Sequence, residues 1–425
     1  MLDPEKSRHQ SHVSHTRDRS VKLSRTALVN ARPNNWLPGL DLLRASAVFL
    51  VVIGHGKSLL DEHSRLVFNW LLPMPAAWGV EFFFALSGFL IGRQWLILIS
   101  RDAGSTAITH GEVKLFFAKR WLRTMPTYWL CLLLFLCLGL AEVRHPVAIW
   151  ITGNIFLIAS LINSPAAIPV SWTLAIEEFS YAWVGISAWI IRQPLLDKLR
   201  STKTAIAFPA AAITIGLTAR IHAASDGQWE LIHHGTIQRI DALAYGILAA
   251  WAIRSGLIKP DLWPRKSRIL IWSLCTATVL FIQSWIEIHT TRFIPITHGD
   301  AKIFAIFMIP SMGIVASVIT TLLATRRTTK PIISQPKPIE SAIREMARIS
   351  YTVYLTHIPV RAFIASFGAT SSIQTFCAYV ISVLALGLTV YPVIEHPFME
   401  LRRKYVASQT RAQAPTGHDS TSSPH

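Results

Sequence analysis

Long apolar stretches alternate with short polar and basic connections along nearly the whole chain. Most of them reach about 17 to 25 residues, the length that a helix needs to cross the hydrocarbon core of a bilayer. The stretches lie at 40–58, 77–99, 124–141, 147–164, 173–192, 204–219, 236–253, 268–286, 301–324, 349–366 and 373–395. Runs such as WLCLLLFLCLGL lack the two-residue alternation of a membrane β-strand. The pattern therefore predicts an all-α protein, a polytopic bundle of transmembrane helices.

Composition supports a membrane protein. Of the 425 residues, 51% are hydrophobic and only 15% are charged, whereas about a quarter are charged in ordinary soluble proteins. The four cysteines all lie in apolar stretches, which gives neither a disulfide framework nor zinc-site spacing. We therefore expect no metal and no cofactor.

The net charge of +17 comes from basic residues between the apolar stretches. This distribution is the positive-inside pattern of cytoplasmic loops. We expect no nucleic-acid partner, because the chain has no soluble basic domain and no platform of alternating aromatic and basic residues. The basic clusters lie in the first 35 residues and at 93–123, 192–203, 254–268, 326–348 and 401–404.

If every basic cluster is cytoplasmic, an even number of crossings must separate each from the next. Only 124–192 breaks this rule, because it offers three apolar stretches. The stretch 147–164 contains Asn154 and leads into the Pro-rich NSPAAIPVSW, which favours a re-entrant element. The sequence thus predicts about ten spanning helices plus one re-entrant segment, with both termini cytoplasmic. The expected organisation is a disordered basic tail at 1–35, a membrane domain at 36–403 and a disordered tail at 404–425.

Ionisable residues inside the apolar stretches are the first candidates for chemistry, because burying them in a membrane costs a few kcal/mol. Arg44 and His55 are eleven residues apart, which places them within roughly 20° on one helix face and about 16 Å apart along it. The topology brings Glu81, Glu177 and Glu178 to a depth from which they could approach the imidazole. A histidine beside a carboxylate is the usual arrangement of a general base.

Each of these residues also has a structural interpretation. His55 alone could be an interfacial residue, and Glu81 could simply stabilise the positive end of its helix. Gly88 and Gly92 have the GxxxG spacing of close helix packing. Ser87 lacks the G-x-S-x-G surroundings of a nucleophile.

Arg120 and Arg123 lie three residues apart in RWLRTMP, at what the sequence predicts as a helix start closed by Pro126. Paired guanidinium groups suit phosphate, because each offers a planar fork of donors. The pair could equally anchor the helix at the membrane surface.

Two further polar positions remain open. Arg239 and Asp241 in IQRIDALAYG are most simply a local polar pair. His357 in ISYTVYLTHIPV is either a hydrogen-bonded core group or part of a cavity lining.

Seven motifs stand in order along the chain: LDLLRASAVFLVVIGH, EFFFALSGFLIG, RWLRTMP, SWTLAIEEFSY, RIDALAYG, ISYTVYLTH and VIEHPF. In order and spacing they resemble those of the acyltransferase-3 family of integral membrane acyltransferases. The resemblance covers residues 36–403 and implies a polytopic helical protein that moves acetyl or other acyl groups from acyl-coenzyme A to hydroxyls of cell-surface carbohydrates. We expect the C-terminal esterase-like domain of some members to be missing here, so that any second transfer step needs a separate protein.

The resemblance implies roles for individual residues. His55 becomes the catalytic histidine and Arg44 its motif partner. Arg120 and Arg123 match the donor-associated motif, and Glu395 matches a family glutamate in the last motif.

These inferences together predict an acyltransferase of the bacterial cytoplasmic membrane. Acyl-CoA is the expected donor, a carbohydrate or lipid-linked glycan the expected acceptor, and membrane lipids the surroundings. His55 acts as base with Glu177 and Glu178 as catalytic partners. Two alternatives remain: an acyltransferase for a lipid or small secondary metabolite, and a transporter that uses the same charges as a substrate path.

Overall fold

A computed structural model of the chain describes most of the membrane domain. The described residues contain helices and turns and no strand, which agrees with the predicted all-α class. They are 38–72, 74–99, 110–140, 146–159, 166–191, 204–259, 262–264, 266–275, 277–278, 281, 307–324, 337–367 and 371–412.

Thirteen α-helices in the described parts have bounds as follows. The first seven are α1 (Pro38–Gly56), α2 (Glu62–Leu71), α3 (Pro75–Ile99), α4 (His110–Cys137), α5 (Val147–Ile155), α6 (Trp172–Ile191) and α7 (Ala207–Ser225). The others are α8 (Trp229–His234), α9 (Ala244–Arg254), α10 (Ile309–Ala324), α11 (Lys337–Ser366), α12 (Ile373–Val390) and α13 (His396–Ala412). A π-helical turn, Tyr391–Glu395, joins α12 to α13.

Helix α3 lies at the centre of the bundle and packs against α1, α6, α9 and α10. Its glycines allow backbone contact with two of these neighbours. A Cβ on Gly88 would overlap the carbonyl of Leu243 at the start of α9, and one on Gly79 would overlap the backbone of Ala47 in α1. Gly246 of α9 is equally close to the carbonyl of Ala85. The GxxxG spacing on α3 therefore serves close helix packing.

Four helical stretches are long and apolar enough to cross a membrane: Pro38–Leu59, Pro75–Ile97, Ala207–Ser225 and Ile373–Gln409. The predicted count of about ten crossings is not established by the described residues. Helix α5 has nine residues and is therefore about 14 Å long, less than half of the roughly 30 Å hydrocarbon core. A helix this short agrees with the prediction that 147–164 does not cross by itself.

Several predicted boundaries differ from the observed ones. Pro126 lies inside the continuous helix α4 and does not close a helix start. Residues 236–243, predicted as the first part of a helix, form turns before α9. Helix α13 continues past residue 404, where the sequence places the start of a disordered tail. The tail at 1–35 lies outside the described residues, as do residues 276, 279–280 and 282–286 of the apolar stretch 268–286, whose described part is helical.

The short helix α2 is amphipathic and exposes Leu66, Val67 and Leu71. A helix of this kind suits the membrane interface, with its apolar face toward the acyl chains. Asp61 caps its first turn, because its carboxylate accepts a 2.9 Å hydrogen bond from the Ser64 amide. That hydrogen bond lowers the pKa of the Asp61 carboxyl.

Two buried ion pairs fix the turns at 236–243 against the core. Arg220 of α7 donates two hydrogen bonds, of 2.7 and 2.8 Å, to the carboxylate of Asp241, which also accepts a 2.9 Å bond from the Tyr245 hydroxyl. Arg239 pairs instead with Glu81 of α3. The predicted local pair of Arg239 with Asp241 is therefore wrong, because each binds a partner on another helix.

Candidate functional site

A cavity lies among α1, α3, α4, α6 and α11. Its walls combine apolar side chains with four of the charged residues that the sequence singles out. These are Arg44, Arg120, Arg123 and Glu177.

Helix α4 supplies the basic side of the cavity. Arg120 and Arg123 are one helical turn apart and both half-buried. The Arg120 guanidinium lies 4.6 Å from the centre of the Tyr181 ring, which fixes its orientation by a cation–π contact.

Two further cations extend the basic side beyond the predicted residues. Lys119 of α4 and Arg402 of α13 are electrostatically coupled to each other and to Arg120. Arg402 also carries a buried Nε without a hydrogen-bond partner. In the part of the chain that the structure describes, Lys119, Arg120, Arg123 and Arg402 form no ion pair with a carboxylate. The sequence shows Arg402 only as one member of a basic cluster, so only the packing of α13 against α4 assigns it to this place.

Glu177 lies in the cavity wall and is held by two hydroxyls. Ser87 of α3 donates to its Oε1 at 2.8 Å, and Tyr181 donates to its Oε2 at 2.9 Å. The two bonds orient both carboxylate oxygens. Ser87 is thus a partner of this carboxylate, which agrees with the sequence argument against a serine nucleophile.

Glu178 points to the other side of α6, toward α4. Its carboxylate accepts hydrogen bonds from Trp121 Nε1 at 3.0 Å and from Thr124 Oγ1 at 3.3 Å. Tyr351 of α11 in turn donates to the Thr124 carbonyl at 2.8 Å. Glu178 therefore joins α6 to α4, and Thr124 links α4 to both α6 and α11 beside the arginines.

Arg44 and Glu395 complete the charged wall. Arg44 lines the cavity and forms a 3.3 Å ion pair with Asp41. Glu395, in the π-helical turn, accepts a 2.8 Å hydrogen bond from Thr352. Electrostatic interactions link Glu395 to both Arg44 and Arg123. The residues predicted to bind or orient a donor therefore lie near one another, although they belong to α1, to α4 and to the π-helical turn after α12.

His55 lies at the far end of α1 and faces α11. Its Nδ1 bonds to the carbonyl of Val51 at 3.0 Å. Because a carbonyl oxygen only accepts, Nδ1 carries the proton and Nε2 carries the free lone pair. The ring is partly exposed, as a base that meets a substrate must be.

The expected approach of three carboxylates to His55 does not occur. Glu81 binds Arg239, while Glu177 and Glu178 bind the hydroxyl and indole groups described above, and none of the three hydrogen-bonds to His55 within the described ranges. Position along a helix fixes the depth of a side chain but not the direction in which it points, and Glu177 and Glu178 of α6 point toward α3 and α4. The ring beside His55 is that of His357, at 4.9 Å between centroids.

Side-chain contacts lead from the cavity to this histidine pair. Thr173 and Tyr354, both in the cavity wall, share a 2.8 Å hydrogen bond between their hydroxyls. The Tyr354 ring contacts the His357 ring at 5.8 Å. The arrangement can hold an anionic ligand at the arginine side, while the two histidines lie next to Tyr354 and outside the residues that line the cavity.

Several curated bacterial proteins are similar in sequence to this chain. Nodulation protein 10 of Rhizobium leguminosarum bv. viciae is 23% identical over 396 residues, which is 86% of this chain and 94% of that protein. The O-acetyltransferase OatA of Staphylococcus aureus (strain NCTC 8325 / PS 47) is 26% identical over 385 residues, 85% of this chain and 57% of that protein. A protein of Staphylococcus aureus (strain COL), provisionally named an O-acetyltransferase, is 26% identical over 384 residues with the same coverage. The chain thus spans little more than half the length of its Staphylococcus aureus relatives.

No solved structure matches the chain. The family described as an acyltransferase domain (Acyl_transf_3) matches residues 37–392. This match covers nearly the whole predicted membrane domain and contains every charged residue of the site except Glu395 and Arg402. The chain therefore belongs to the acyltransferase-3 family of membrane proteins.

Proposed function

We propose that this protein transfers an acyl group, acetyl in the first instance, from acyl-coenzyme A to a hydroxyl of a cell-surface or exported carbohydrate. The family and the O-acetyltransferase names of relatives support acyl transfer to oxygen. The donor, the carbohydrate acceptor and the placement in the cytoplasmic membrane with cytoplasmic termini are parts of the proposal.

The observation that carries the donor assignment is the group of cations without carboxylate partners beside the cavity. Coenzyme A carries phosphates at one end and a thioester at the other. Arg120, Arg123 and Arg402 offer charge-assisted hydrogen bonds to phosphate oxygens. The largely apolar cavity beyond them suits the pantetheine arm.

In the proposed reaction His55 acts as general base. Its Nε2 takes the proton from the acceptor hydroxyl as that oxygen attacks the thioester carbonyl. The carbon–sulfur bond then breaks, and the coenzyme A thiolate takes the proton from the imidazolium. The products are an ester of the acceptor and free coenzyme A.

For Glu177 and Glu178 we propose roles other than the catalytic partnership with His55 that the sequence predicts. We assign them to the cavity wall, where they orient Tyr181, Thr124 and the arginines of α4. The transporter alternative has no support in the family. The choice between a carbohydrate and a lipid or small metabolite as acceptor rests on the family resemblance.

The test uses the full-length protein in membrane vesicles of its source organism, incubated with radiolabelled acetyl-CoA. We expect label in a hydroxyl-bearing glycan, with free thiol released in equal amount. His55→Ala should lower the rate by about a hundredfold or more, the usual cost of losing a positioned base. His63→Ala, an exposed histidine of α2, is the matched control.

Two outcomes would contradict the proposal. Wild-type vesicles that neither release thiol nor incorporate label exclude acyl-CoA as the donor. Label found only in lipid or in a small metabolite excludes the carbohydrate acceptor. Mass spectrometry of surface glycans from cells with and without the gene identifies the modified sugar.

A further inference from the structure

His357 is a second imidazole next to the proposed base. The side chain is completely buried, and its ring centre lies 4.9 Å from that of His55. Neither ring lines the cavity, but His55 is partly exposed. A substrate can therefore contact His55 but not His357.

Backbone carbonyls fix the tautomers of both rings in the same way. His357 Nδ1 bonds to the Tyr354 carbonyl at 2.6 Å, and His55 Nδ1 bonds to the Val51 carbonyl. Both Nδ1 atoms must therefore donate, which leaves a lone pair on each Nε2. The Nε2 of His357 is buried without any hydrogen-bond partner, and such orphaned acceptors are rare in proteins.

The surroundings of His55 make this lone pair significant. A general base becomes an imidazolium when it takes a proton, and that charge normally needs an acceptor beside it. The charged groups that act on His55 are Arg361 and Lys57, and both are cations. Arg361 also donates to the His55 carbonyl at 3.3 Å. No carboxylate hydrogen-bonds to His55 in the described part of the chain. The adjacent imidazole of His357 is therefore the nearby hydrogen-bond acceptor.

We propose that His357 is a positioning residue for His55: its vacant Nε2 accepts a hydrogen bond from the proton that His55 gains, and so holds the imidazolium during acyl transfer. This inference rests on the proposed function. The proton stays bonded to His55 until the coenzyme A thiolate takes it, so the overall reaction and its proton balance are unchanged. The 4.9 Å between the ring centres is a spacing at which an N–H of one imidazole can bond to a ring nitrogen of the other.

Two substitutions separate this role from a purely structural one. His357→Gln can place an amide oxygen near the position of the lost Nε2 and so keeps an acceptor beside His55. His357→Asn can place an amide N–H near the position of Nδ1, which keeps the bond to the Tyr354 carbonyl but removes the acceptor. We expect His357→Asn to lower kcat roughly ten- to a hundredfold, less than loss of the base itself. His357→Gln should stay within a few-fold of wild type.

The measurements are kcat and KM for acetyl-CoA in vesicles, and the thermal midpoint of each purified variant in detergent. We expect both variants to keep the wild-type KM, because His357 does not line the donor cavity. A structural role predicts the opposite order, with His357→Asn at least as active as His357→Gln and activity following the thermal midpoint. That order, or wild-type kcat in His357→Asn, would overturn the assignment. Absence of thiol release by the wild-type protein would instead refute the acyltransferase proposal on which it rests.

Discussion

The donor site can be tested by removing the charge of two arginines at once. Arg120→Gln combined with Arg123→Gln keeps a polar side chain with N–H donors at both positions but removes both cations from the cavity. We expect the KM for acetyl-CoA to rise much more than the KM for the acceptor. Arg403→Gln is the matched control, because Arg403 lies on α13 beside Arg402 but its side chain is 68% exposed.

The magnitude follows from the surroundings of the two guanidinium groups. A hydrogen bond to a charged group contributes about 1.5 to 3 kcal/mol, and partial solvent exposure reduces this contribution. Since both arginines are half-buried, we take about 1 kcal/mol for each, or about 2 kcal/mol for the pair. Because 1.36 kcal/mol corresponds to a factor of ten, the expected increase in KM is roughly thirtyfold.

The assay follows thiol release from acetyl-CoA in vesicles, with each variant normalised to the amount of protein present. Thermal midpoints in detergent control for the loss of the Arg120 contact with Tyr181, since that contact also contributes to stability. A double variant with a normal thermal midpoint and a wild-type donor KM would refute the reasoning. The arginines would then be anchors of α4 at the membrane surface.

Three further predictions concern the scaffold. Asp241→Asn should lower the free energy of unfolding by about 3 to 5 kcal/mol, because it leaves the buried Arg220 guanidinium without a countercharge. Tyr245→Phe removes only one hydrogen bond and should lower it by about 1 kcal/mol. Equal thermal midpoints for the two variants would contradict this prediction. Gly88→Val should abolish folded protein on size-exclusion chromatography, since its side chain overlaps the backbone of the α9 start; a monodisperse, active variant would show that the helices can separate. With the native cysteines replaced by serine, Glu62→Cys should react with an impermeant maleimide in intact cells and Arg403→Cys only after permeabilisation; the reverse would invert the proposed topology.

Helix positions could be predicted well from hydrophobic periodicity, because each long apolar run buries itself whatever its partners are. The runs at 40–58, 77–99 and 173–192 match α1, α3 and α6 to within two residues. The failure at 236–243 has a clear cause. Arg239 and Asp241 interrupt the apolar pattern, and their partners in α3 and α7 hold the chain in turns, so tertiary pairing overrides local propensity.

The gathering of Arg44, Arg120, Arg123 and Glu177 could be anticipated, since intramembrane charges seek one another or a cavity. Which carboxylate pairs with which cation could not be anticipated. Glu81 and Arg239 are 158 residues apart in the chain, and which carboxylate meets which cation depends on helix rotations that the sequence pattern leaves free. The same freedom separated His55 from the glutamates and placed it beside His357.

The contact between α3 and its neighbours determines which parts of the molecule can move. Gly79, Gly88 and Gly246 bring backbone against backbone, so any axial slide or rotation of α3 would drive side chains into main-chain atoms of α1 or α9. The central helices therefore form a stationary frame that carries Ser87 on α3 and His55 on α1. For the proposed donor, coenzyme A, any widening that admits it falls to the periphery, where α4 and α13 pack together and carry the cations. We therefore expect donor loading to move the proposed phosphate-binding arginines relative to a stationary His55.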